Sequence, residues 1–198
     1  MPRVGVFGGS FDPVHLGHLI MAGEALDRLR LDHVVFVPAS RPAHKRSRAL
    51  AGIRHRLAML RLATRGNPRF RVSAIEAERG GVSFTADTLE AIARDGDASL
   101  YFIMGQDNLA ELHTWRDPDR IARLARLVVV PRETGARPGS SLSAAWRRRV
   151  VTLEAPWIGI SSTEIRRRVR TGKTVRYWVP DRVLTYMERH ALYGSERR

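Results

Sequence analysis

Short runs of β-branched and aromatic residues alternate with segments of helical periodicity along the chain, and this alternation limits the fold more than any other feature. Residues 4–7, 33–38 (HVVFVP), 70–74, 100–104 (LYFIM) and 127–130 (LVVV) read as buried strands, with residues 150–153 as the last one. Residues 16–30 carry Leu19, Ile20, Ala22, Leu26 and Leu29 at helical spacing, and residues 53–64 place Leu57, Leu60 and Ala63 on one face. Residues 84–94 read as a helix capped by Thr85 or Asp87, and residues 117–125 as another. Such alternation predicts an α/β fold: a doubly wound parallel sheet with helices on both faces. A chain of 198 residues is expected to form one domain, residues 1–198, with a helical carboxyl-terminal part from about residue 160. Residues 66–69 and 135–141 read as loops.

Composition excludes several kinds of chemistry. The sequence has no cysteine, so disulfides, thiolate metal sites and cysteine nucleophiles are ruled out. The apolar opening is too short for a signal peptide and is interrupted by Gly9 and Asp12. No run is long and apolar enough to span a membrane. A soluble cytoplasmic protein without a membrane partner is the expectation. The formal charge of +14 suggests an anionic partner, yet Lys45 and Lys173 are the only lysines. The arginines are scattered without interleaved aromatics, so no specific nucleic-acid partner is expected. A basic nucleic-acid-binding protein is the alternative of another class, and the salt dependence of DNA binding separates the two.

Directly after the first strand stands GGSFDPVHLGH, residues 8–18. Gly8 and Gly9 let backbone approach a ligand closely. Pro13 fixes a turn and restricts Asp12 to extended geometry. His15 and His18 are three residues apart, so both face one side of a helix start, where N–H groups and the helix dipole favour an anion. The stretch is neither a GxxxxGKS nor a GxGxxG nucleotide signature. A metal pair is poorly matched, because a glycine lies between the histidines and no carboxylate is close by. Ligands in open α/β sheets bind beyond the carboxyl ends of the strands, which is where this stretch begins.

A second stretch, ISSTEIR at residues 160–166, reads as a helix start. Ser161 and Glu164 have the spacing of a capping box, and Ser162 and Thr163 add hydroxyls. Arg166 follows within the first turns and is suited to bidentate phosphate binding.

GGSFDPVHLGH resembles the GxFDPxHxGH signature of the HxGH nucleotidylyltransferases, and ISSTEIR resembles their ISSTxIR motif. FVPASRPAHK (residues 36–45), SFTADTL (83–89), IMGQDNLAELHTW (103–115) and YWVPDRVLTYMERHALY (177–193) are similar to segments of the bacterial nicotinate-mononucleotide adenylyltransferase group. The likeness covers almost the whole chain. Ser10 stands where that group usually has threonine, and Gln106 where a small residue is common.

The resemblance implies a Rossmann-like single domain and a transfer of AMP from ATP to nicotinate mononucleotide, giving deamido-NAD and pyrophosphate. It implies that Gly8, Gly9, Ser10 and Phe11 lay backbone along ATP, and that His15 and His18 donate to its phosphates. Ser161, Ser162 and Arg166 would hold the triphosphate from the other side, and Asp107 would accept from the ribose. Lys45, with His44, would reach the departing pyrophosphate and the mononucleotide. Thr85 and Trp115 would shape the nicotinate pocket, Trp115 competing with a plain packing role. His15, His18, Lys45 and Arg166 form the expected catalytic set. Mg²⁺ would bind through substrate phosphates, with no protein metal site. A sister transferase acting on nicotinamide mononucleotide or phosphopantetheine is the nearest rival, and self-association is left open. His55 and His113 read as exposed bystanders.

Overall fold

The computed structural model describes residues 1–41, 50–94, 96–131, 146, 148–156 and 158–194. The loop expected at residues 135–141, and His44 and Lys45, lie outside the described residues. Six parallel strands form one sheet: β1 (Arg3–Gly9), β2 (His33–Pro38), β3 (Phe70–Val72), β4 (Ser99–Gly105), β5 (Ala125–Val130) and β6 (Val150–Thr152). Their order is β3-β2-β1-β4-β5-β6. The chain moves outward from β1 through β2 to β3, then returns to place β4 on the other side of β1. That reversal creates a crevice between the carboxyl ends of β1 and β4, the switch point at which such sheets bind ligands.

The helices are α1 (Leu16–Arg28), α2 (Ile53–Thr64), α3 (Ile75–Arg79), α4 (Thr85–Arg94), α5 (Gln106–Glu111), α6 (Pro118–Leu124), α7 (Ser162–Arg170) and α8 (Asp181–Arg189). Alternate side chains of the strands feed two cores. Phe7, Tyr101 and Ile103 join residues of α1, α2, α7 and α8, including Leu26, Leu60, Ile165 and Met187. Val4, Val6, Leu100, Phe102 and Met104 join Leu89 of α4, Leu109 of α5 and Ile121 of α6. Both faces are therefore covered, as the strand sequences predict.

The differences from expectation are local. Helix α1 ends at Arg28 and not at residue 30, because Arg30 adopts a left-handed φ of 49°. Ile20 lies on its outer side, 39% exposed, while Gly17, Ala22, Ala25 and Leu26 face the core. The strand expected over residues 70–74 stops at Val72, and the short helices α3 and α5 were not foreseen. Helix α4 begins at Thr85, and Asp87 accepts from Arg120 of α6 at 3.2 Å, joining the two helices. His55 is not an exposed bystander. Its Nδ1 lies 3.0 Å from the Tyr186 hydroxyl between α2 and α8, and its ring meets that of His190.

Candidate active site

Strand β1 runs on through Gly8 and Gly9, which pair with Val37 and Pro38 of β2. Side chains there would crowd neighbouring rings: a Cβ on Gly8 would lie 3.1 Å from Phe102 Cε2, and one on Gly9 3.1 Å from Phe11 Cζ. The glycines therefore bring the end of β1 close to aromatic rings on both faces of the sheet, besides keeping the crevice open. Phe11 is almost wholly buried at a left-handed φ of 46°. Its ring lies edge-on to Phe7 and to His18, with centroids 5.4 and 5.0 Å away.

The two histidines come together as expected. His15 is the extended residue before α1, and its ring stacks on that of His18 at 3.6 Å between centroids. His18 Nδ1 accepts the backbone N–H of His15 at 3.2 Å, so the second imidazole closes the helix start. Gly17 leaves room for this stack: a Cβ there would lie 3.1 Å from His15 Nδ1. His15 is 6% exposed, and burial lowers its pKa from 6.5 to about 4. Its Nδ1 has no hydrogen-bond partner among the described residues. The backbone N–H of Leu16 donates to the Trp178 carbonyl at 2.9 Å, so one of the helix-start donors is already occupied.

Helix α7 docks onto the same stretch. Ser161 Oγ accepts the Glu164 N–H at 3.2 Å, which supplies half of the expected capping box. The other half is not made: the Glu164 carboxylate accepts from Arg167 at 2.6 and 2.7 Å. Ser162 Oγ donates to the Pro13 carbonyl at 2.9 Å. Arg166 is buried and donates to the Asp12 carbonyl, to Asp12 Oδ2 at 3.4 Å and to Thr163 Oγ1 at 3.2 Å. The two motifs, distant in sequence, thus share one end of the sheet.

Asp12 and Arg56 organise this region, and neither was singled out from the sequence. Asp12 is fully buried and accepts from the Tyr193 hydroxyl at 2.6 Å and from the Ala51 N–H at 3.1 Å, as well as from Arg166. Arg56, 2% exposed, donates to four carbonyls: Ser10 at 3.0 Å, Ala39 at 2.7 Å, Ser40 at 3.2 Å and Ala51 at 2.9 Å. Burial lowers its pKa, and the nearby Asp12 carboxylate opposes that shift. A signal for Arg56 existed in α2. It stands three, four and seven residues before Met59, Leu60 and Ala63, in register with the apolar face.

On the opposite face of the sheet, Trp115 packs against the second core, its ring edge-on to Phe102 at 6.2 Å. Arg116 lies over the Phe84 ring at 4.6 Å, next to Thr85, the first residue of α4. Ser83 Oγ accepts the Ser40 N–H at 2.9 Å, which ties the stretch before α4 to the end of β2. Asp107 lies in the first turn of α5, directly beyond the carboxyl end of β4, and is exposed. His113 is exposed, as expected.

Two stacked imidazoles, a buried guanidinium and the starts of α1 and α7 thus lie together beyond the carboxyl end of β1. The chain matches the Cytidylyltransferase-like family over residues 6–168. It is 46% identical over 204 residues to the "Probable nicotinate-nucleotide adenylyltransferase" of Thermomicrobium roseum, covering 98% of this chain and 93% of that one. A relative of the same name from Thermus thermophilus is 48% identical, with 96% and 99% covered. The protein belongs to the nicotinate-nucleotide adenylyltransferase family. Its fold is similar to that of the Plasmodium falciparum nicotinic acid mononucleotide adenylyltransferase complexed with NaAD, with a TM-score of 0.81, 14% identity and full coverage of both chains. The same enzyme complexed with APC gives 0.79, at 14% identity and again full coverage. Among the described residues, no helix is long and apolar enough to cross a membrane.

Proposed function

We infer that the protein transfers the adenylyl group of ATP to the 5′-phosphate of nicotinate mononucleotide, releasing pyrophosphate and giving deamido-NAD. The observation that carries this reading is the docking of ISSTEIR on FDPVHLGH: Ser162 Oγ on the Pro13 carbonyl at 2.9 Å, and Arg166 on Asp12. It gathers His15, His18, Ser161 and Arg166 around one end of β1 on the α1 face, while Trp115 and Thr85 belong to the α4–α6 face. Gly8 and Gly9 form the boundary between them, where two substrates meet end to end.

The nucleophile is a phosphate already ionised at neutral pH, so the reaction needs no general base. Position and charge stabilisation supply the rate. The buried His15 ring is neutral at pH 7, given its pKa of about 4. In the proposed roles it donates one N–H to the triphosphate, while His18 and Arg166 donate as charge builds on the departing pyrophosphate. Backbone of Gly8, Gly9, Ser10 and Phe11 lies along ATP, Ser161 and Ser162 flank its phosphates, and Asp107 accepts from the ribose. Lys45 and His44 are assigned to the phosphates from the sequence alone. The donors gathered here suit phosphate oxygens and not a hard cation, so Mg²⁺ is proposed to enter on the triphosphate, where it neutralises charge. A cytoplasmic location is proposed with this reaction, and cell fractionation tests it.

The test is pyrophosphate release from ATP and Mg²⁺ with nicotinate mononucleotide, nicotinamide mononucleotide or phosphopantetheine as acceptor. Release with the first alone supports the reading. Release only with phosphopantetheine would replace it with a sister transferase.

A further inference from the structure

Tyr193 stands near the carboxyl end of the chain, in the 3₁₀ turn Leu192–Gly194 that follows α8, outside both motifs and far in sequence from the first. Its backbone adopts a left-handed φ of 62°, uncommon for an aromatic residue. The hydroxyl reaches Asp12 Oδ1 at 2.6 Å. The same oxygen accepts the Ala51 N–H at 3.1 Å, and the other oxygen of that carboxylate faces Arg166 at 3.4 Å. One carboxylate therefore holds a phenol and an amide on one side and a guanidinium on the other. Burial, then Asp12, raise the Tyr193 pKa well above its ordinary value, so the hydroxyl is a donor throughout the neutral and alkaline range.

We propose that Tyr193 is a positioning residue for the ATP half of the reaction: its hydroxyl fixes the Asp12 carboxylate, and that carboxylate fixes how Arg166 meets the phosphates. The inference rests on the reading of Arg166 as a triphosphate ligand. With Oδ1 occupied by two donors, Asp12 offers Arg166 chiefly Oδ2 and its own carbonyl. A carboxylate relieved of the phenol can turn and take the guanidinium through both oxygens, the geometry that such pairs favour. Arg166 would then be engaged by Asp12 at the expense of phosphate.

Tyr193→Phe removes one oxygen and keeps the ring. In calorimetric titrations of the full chain with MgATP, this variant should bind about tenfold more weakly than wild type, the size of one lost hydrogen bond to a charged group. In steady-state assays its KM for nicotinate mononucleotide should stay within about twofold, since the proposed route runs through the phosphates of ATP alone. In an Arg166→Lys background, which lacks the planar fork, the Tyr193→Phe effect on MgATP binding should disappear, because two residues acting as one unit are not additive. Thermal melts run alongside identify the rival outcome: a lowered Tm with unchanged MgATP binding makes Tyr193 merely structural and overturns the inference. An equal loss of binding in both backgrounds would overturn it too. Wild-type protein that bound no MgATP would overturn the functional reading together with this one, whereas wild type that binds and a variant indistinguishable from it would overturn this one alone.

Discussion

Gly17 faces the His15 ring at the start of α1: a Cβ added to Gly17 would stand 3.1 Å from His15 Nδ1 and 3.2 Å from Cε1. The ring cannot retreat freely, because its other neighbour is the His18 ring at 3.6 Å. A side chain inside HLGH would therefore press on the two stacked imidazoles.

Gly17→Ala tests that relationship. Alanine is favoured over glycine in a helix by up to about 1 kcal/mol, so the fold should survive. The added methyl would press the His15 ring toward His18. A kcat lowered about tenfold or more, with a Tm within a few degrees of wild type, is the expected result for a donor moved out of line. Wild-type kcat in Gly17→Ala would show that the stack has no part in the reaction.

His18→Ala should reduce kcat more severely. One aligned donor to developing charge is worth about 3 kcal/mol, or on the order of 100-fold in rate. Some stability goes as well, because His18 accepts the His15 N–H and packs on Phe11. A lost cap of this kind costs about 1 kcal/mol. Rate measurements well below the melting range separate the two effects. Loss of stability without loss of kcat would make His18 a capping residue only.

The depressed pKa of His15 sets a pH dependence of stability. Its folded value of about 4 lies below the unfolded 6.5, so between those values the unfolded chain binds the extra proton. Relative to its level above pH 6.5, stability therefore falls as pH drops toward 4, by about 3 kcal/mol, because the buried ring resists protonation. In denaturant titrations across that window, wild type should lose stability relative to His15→Gln as pH drops. Parallel curves would mean that His15 titrates normally.

Trp115 and the stretch before α4 carry the expectation for the acceptor. Trp115→Ala should raise KM for nicotinate mononucleotide about tenfold and leave KM for ATP within about twofold, as loss of one stacked ring implies. Its packing against Phe102 predicts a lowered Tm in addition. If Tm falls and both KM values hold, Trp115 belongs to the core alone.

Much of the sheet was legible in the sequence, because buried parallel strands leave dense apolar runs such as LYFIM and LVVV. The short helices α3 and α5 were not, since five or six residues span too few turns to show a period. His15 and His18 stand out in the sequence because two histidines three apart follow a glycine pair, whereas Arg166 sits in a run of arginines and stands out only through ISSTEIR. Beside Pro13, Asp12 looks in the sequence like a turn residue, yet it is the buried acceptor for Tyr193 and Arg166. Its partners lie 154 and 181 residues away, and no local pattern encodes a contact made across that distance. Arg56 was hidden among 34 basic residues, where only its register with Met59 and Leu60 set it apart.

The central claim is that this site joins ATP to nicotinate mononucleotide. Its most direct measurement is the specificity constant for pyrophosphate release with nicotinate and with nicotinamide mononucleotide, at saturating MgATP, with the dinucleotide product identified by mass. A strong preference for the nicotinate acceptor and a product of the mass of deamido-NAD are expected. Equal constants for the two acceptors would contradict the assigned specificity, and no dinucleotide from either would contradict the function itself.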